Sequence, residues 1–73
     1  MEQEKKRELI EKKANHYSKE AKIIHITLDN GRFYNGKIKY IGIDFLLFED
    51  RKLGDIAIYF IEILDIFPYE EGK

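Results

Sequence analysis

Few residues in this chain are suited to breaking bonds, and nothing in their spacing brings them together. There are two histidines, His16 and His25, a single serine, Ser18, and no cysteine. Without cysteine, neither a thiolate zinc site nor a disulfide framework is available. His16 falls in a helix-forming run and His25 in an alternating strand pattern, so a shared metal site is not expected. Ser18 lies among charged residues, with no base spaced to activate it. Neither a GxxxxGK[ST] phosphate loop nor an HExxH metal motif occurs. Asp44, Glu49 and Asp50 cluster near an expected turn, where carboxylates read as solvated surface rather than an acid/base pair. The expectation is a protein that is not an enzyme, with no cofactor, metal or small-molecule substrate.

What the residues do offer is recognition chemistry. Five tyrosines and five phenylalanines supply flat π faces. Lys37 and Lys39 share one face of an expected strand, and Lys5, Lys6, Arg7, Lys12 and Lys13 crowd the first segment. A solvated surface neutralised by glutamates is the default reading of these cations, and an evenly mixed segment on an acidic body is a weak footprint for RNA binding. The net charge of −1 gives no overall pull toward nucleic acid. Its distribution is uneven, with +2 over residues 1–22 and −3 over residues 23–73.

At 73 residues, 44% apolar and 37% charged, the chain suits one small domain spanning residues 1–73. A domain this size buries only about 60% of its unfolded surface, so oligomerisation is an expected source of stability. No apolar run approaches the roughly 20 residues of a membrane span, and the charged start is unlike a signal peptide. A cytoplasmic protein is therefore expected.

The elements that must carry the rings and cations follow from periodicity. Residues from about 3 to 20 are good helix formers, with Ile10, Ala14, Tyr17 and Ala21 in one apolar stripe and Leu9 beside it. From about residue 22 to 69 strand patterns dominate. Ile24, Ile26 and Leu28 alternate with His25 and Thr27, and Asn30-Gly31 supplies a hairpin turn. Ile38 and Tyr40 share one face of the next strand. Gly36, inside that strand, marks a bulge, a sharp bend or a close backbone approach. The segment from Asp55 to Phe67 fits a helical face and a strand equally well. Its isoleucines and aromatics favour two short strands with a sharp turn near Ile61-Glu62.

Ile24, Ile26, Leu28, Gly31, Gly36, Ile38 and Ile41, followed by Ile58, Ile63 and Ile66, stand at the spacing of two motifs. On these residues the chain resembles the Sm-like proteins, including their bacterial RNA-chaperone branch, over residues 5–69. The resemblance implies a mainly β fold, a small, strongly bent five-stranded antiparallel SH3-like barrel with an N-terminal α-helix. It also implies a homo-oligomeric ring of six or seven copies that binds single-stranded RNA near its pore. The positions matching the family's RNA pocket depart from it. Gly42 stands where the family has Asp, Asp44 at the stacking position, Leu46 at the base-reading Asn, and Tyr59-Phe60 at an Arg-Gly pair. Candidate RNA-binding residues are thus Tyr59, Phe60, Asp44, Lys37 and Lys39. Asn30, Gly31 and Gly36 are the expected bend and turn residues. Ile56, Ile58, Phe60, Ile63, Ile66 and Phe67 are expected at the subunit interface, with the fourth strand pairing to the fifth of a neighbour. The alternative is a barrel that binds no RNA and acts as a protein-interaction or scaffolding module.

Overall fold

In the computed structural model the described residues are 2–69, with side chains from residue 5 onward. Met1 and residues 70–73 of the expected domain lie outside them. The fold is mainly β, an N-terminal helix followed by a five-stranded antiparallel sheet.

The helix α1 runs Glu2–Glu20. Ile10 and Ala14 are fully buried and Tyr17 packs against the same core, whereas Leu9 is exposed. Ala21 ends the helix instead of extending its stripe. It adopts a left-handed φ of +53°, its N–H bonds Ser18 O at 3.2 Å, and the Lys22 N–H bonds Tyr17 O at 3.4 Å. That pair of bonds is a Schellman termination built without glycine.

The strands are β1 Ile24–Leu28, β2 Phe33–Ile41, β3 Phe45–Asp50, β4 Gly54–Tyr59 and β5 Ile63–Pro68, with a 3-10 turn, η1, at Phe60–Glu62. Their order across the sheet is β4-β3-β2-β1-β5. Strands β4 and β5 are consecutive in the chain yet lie at opposite edges, about 19 Å apart if the sheet were flat. A three-residue 3-10 turn rises only about 6 Å. The sheet must therefore curl until its edges approach at η1. It is not closed, since β4 pairs only with β3 and β5 only with β1.

Two residues in β2 divide the work expected of Gly36. Gly36 is the close approach: a Cβ there would sit 1.9 Å from the Glu49 carbonyl oxygen on β3. The bulge comes later, at Lys39, between the Ile38–Phe48 and Tyr40–Leu47 pairs. One extra residue reverses the alternation. Tyr40 therefore points outward, not inward with Ile38, and Ile41 packs on the core in its place. The Asn30-Gly31 turn also differs from a two-residue hairpin. Only Gly31 has positive φ, at +87°, and Leu28 and Arg32 close a three-residue loop through a 2.8 Å bond. Asn30 Oδ1 steadies it by accepting from the Arg32 N–H at 2.9 Å.

The inward faces of all five strands, with Phe60 of η1 and Ile10 and Ala14 of α1, form one core. The side chains expected at a subunit interface lie mostly within this core. Ile58, Phe60, Ile63 and Ile66 are buried in their own chain, and Ile56 packs against the same cluster. On this stretch the large exposed apolar side chains are Tyr59, Ile61, Leu64 and Phe67. Leu46 is likewise a core residue.

The outer edges of β4 and β5 are unequal. The Phe60 N–H bonds Asp44 O, which fixes the alternation along β4 so that the N–H groups of Asp55, Ala57 and Tyr59 point away from β3. On β5 the bond from Tyr69 N–H to Ile23 O turns the Ile66 N–H outward. That donor is already taken, at 2.8 Å, by the carboxylate of Asp65, which Lys13 holds at 2.8 Å. The neighbouring outward position is Pro68, which has no N–H.

Candidate nucleic-acid interface

The outward bulge at Lys39 creates the most distinctive surface of the molecule. Tyr40 on β2, Phe45 on β3 and Tyr59 on β4 form a row across three strands, with ring centroids 6.2 Å apart at each step. Phe45 lies over Gly42, where even a Cβ would come within 2.7 Å of its ring. Gly42 is thus a seat for Phe45, a role a bulkier residue would block. Tyr59 is 52% exposed and Tyr40 is exposed to a similar degree. Sequence reasoning found Tyr59 but missed Tyr40 and Phe45, because strict alternation puts Tyr40 on the core side and no local signal marks the bulge.

A second row crosses the other half of the sheet. His25 on β1 stacks between Phe33 of β2, at 5.2 Å, and Phe67 of β5, at 5.1 Å. His25 Nδ1 lies 2.5 Å from Asn35 Oδ1, which orients the imidazole. His16 sits on the helix with Glu20 at 3.5 Å, away from this row. Among the described residues, no group of three or more His, Asp or Glu gathers where a metal ion would be held.

The end of the sheet that carries the first row is completed by the β2–β3 loop and η1. Asp44 O accepts from the Phe60 N–H at 2.9 Å, tying the two connections together. Arg7 reaches the same point from the helix. Its guanidinium donates to Ile43 O at 2.5 Å and to Asp44 Oδ1 at 3.0 Å, stands 3.4 Å from Glu11, and lies over the Phe60 ring at 5.7 Å. The Asp44 hydrogen bond raises the Arg7 pKa above its ordinary value.

The expected residues therefore separate. Tyr59 and Asp44 are exposed at this end, but Asp44 is engaged by Arg7 and offers no ring. Phe60 is only 2% exposed and presents nothing to a ligand. Lys37 is exposed on the outer face of β2. Lys39 leaves that pairing at the bulge and reaches over β3 to Asp55, at 2.9 Å, which raises its pKa. Asp50, read as solvated surface, is 8% exposed and accepts from the backbone N–H groups of Leu53, Lys52 and Asn35 at 2.8, 2.9 and 3.3 Å. It organises the β3–β4 turn.

No helix among the described residues is long and apolar enough to cross a membrane. Neither a scan against protein-family models nor a search of curated proteins finds a match to the chain.

Proposed function

We propose that this chain is a subunit of an Sm-like ring that binds single-stranded RNA and catalyses nothing. The observation that carries the RNA reading is the row Tyr40–Phe45–Tyr59, its two tyrosines exposed and Phe45 half-buried between them, on the outer face of a sheet that also bears Lys37 and Lys39. Exposed rings stack on bases of any identity, each stacked base contributing roughly 1–3 kcal/mol, while lysines neutralise phosphates. The ring reading is supported by the strand order, by the motif spacing and by the two unpaired edges. A sheet curled until β4 and β5 converge at η1 is an SH3-like barrel left open along one seam, and the β5 of an identical neighbour fits beside β4. That contact joins different patches, so repetition closes into a ring.

Light scattering on the purified protein, beside fluorescence anisotropy with oligouridylate and oligoadenylate at low salt, tests both parts. The expected results are a mass of six or seven subunits and an affinity that falls steeply with salt. Tyr59→Ala should weaken binding by roughly 1–3 kcal/mol. A monomer mass at every concentration defeats the ring, and no binding to either oligonucleotide defeats the RNA reading.

One observation favours the protein-interaction alternative: Ile43 and Ile61, beside the row, are 84% and 76% exposed. Apolar side chains this open suit a protein partner better than a phosphate backbone. A nuclease-treated pull-down that enriches one protein, from a chain that binds no oligonucleotide, would favour it.

A further inference from the structure

Two cations close to the aromatic row in the chain or at its end of the sheet are already paired with carboxylates. Arg7, at the end of the sheet where Phe45 and Tyr59 lie, is held by the carboxylate of Asp44 at 3.0 Å. Lys39, next to Tyr40 in the chain, is held by the carboxylate of Asp55 at 2.9 Å. Both carboxylates come from residues that lie outside the core: the side chains of Asp44 and Asp55 are 70% and 48% exposed. The cations are exposed as well, Arg7 by 39% and Lys39 by 44%, so neither pair is buried. With Glu11 also beside Arg7, the immediate surroundings of that guanidinium carry more negative than positive charge.

We infer that Asp44 and Asp55 are internal competitors for RNA phosphate, each occupying the cation that a phosphate beside a stacked base would otherwise take. The inference rests on the RNA reading and adds a selectivity device to it. A strand binds by exchanging a carboxylate for a phosphate on Arg7 and on Lys39. Stacking on the rings offsets the loss of the two ion pairs, so a strand whose bases stack makes the exchange more readily than one whose bases do not. Exposed ion pairs of this kind are individually weak, so the exchange is reversible. A base-stacking ligand is thereby favoured over a bare polyanion.

The test measures affinity against salt concentration for Asp44→Asn and Asp55→Asn, with labelled oligouridylate and oligoadenylate as probes. Glu20→Gln is the charge-matched control, because it removes the same charge from the far end of the helix, where Glu20 pairs with His16 and Lys22. Freeing one cation should tighten binding by roughly threefold or more at low salt. It should also steepen the slope of log K against log salt by about 0.7. Adding Arg7→Gln to Asp44→Asn should abolish the gain. Asn preserves the size of the side chain and leaves the backbone bond from Asp44 O to Phe60 intact, and circular dichroism verifies the fold. Two independent positions keep the result decisive if one variant misfolds. Parent and variants binding alike, with equal slopes, or Glu20→Gln giving the same gain, overturns the inference while leaving RNA binding in place. No binding by any of these proteins overturns the RNA reading itself, and this inference with it.

Discussion

Burial of Asp50 works against its negative charge, and three backbone N–H groups outweigh that cost, so its carboxyl titrates below the ordinary range. Asp65 behaves in the same way: burial raises its pKa, and Lys13 with the Ile66 N–H more than reverses the effect. For a carboxyl depressed on folding, the stabilisation is present above the unfolded value, near pH 4, and disappears as pH falls through the folded value. Chemical denaturation as a function of pH should accordingly show stability falling below about pH 4. Asp50→Ala should cost about 2 kcal/mol at neutral pH and flatten part of that acid limb, because the donors of Asn35, Lys52 and Leu53 lose a charged acceptor. An unchanged acid limb in this variant would assign the loss elsewhere. Two of the three donors, Lys52 and Leu53, are local to the turn, as aspartate before a turn allows, and only the bond from Asn35 depends on β2 lying beside it.

Among the elements, the helix end makes the sharpest local demand. Ala21 holds a left-handed φ that costs an L-residue about 1–2 kcal/mol, and it does so to form the Schellman bonds. Ala21→Gly relieves that cost and loses some of it to unfolded-chain entropy, for a net gain of about 0.5–1 kcal/mol. Thermal melting should rise by a few degrees; a lower melting temperature would rule out a strained terminus. The element order was largely legible beforehand, since a glycine-free helical run and strict alternation in β1 speak for themselves. The tail was harder, for Ile56, Phe60 and Ile63 satisfy both periods. Its isoleucine content pointed to strands, and η1 falls at the expected turn. The bulge at Lys39 was illegible. It arises from the mismatch between β2 and β3 and has no glycine or proline of its own to announce it, so Tyr40 and half the aromatic surface stayed hidden.

For the molecule as a whole, the unpaired edges decide what the sheet meets next. Ala57 lies on β4 with its N–H directed outward, so Ala57→Pro removes a donor from the open edge without breaking a bond to β3. If copies join there, this variant should run at the monomer mass while keeping its circular dichroism spectrum. An unaltered assembly mass would move the contact away from β4. The unlike character of the two margins limits which edges could pair with one another. On β5, Asp65 has claimed one hydrogen and Pro68 never had one, so two such margins brought face to face would oppose oxygen to oxygen. The hydrogens that margin lacks are those that β4 holds out. The two margins therefore differ in kind: β4 holds out hydrogens as well as oxygens, whereas the outward positions Ile66 and Pro68 of β5 hold out oxygens alone.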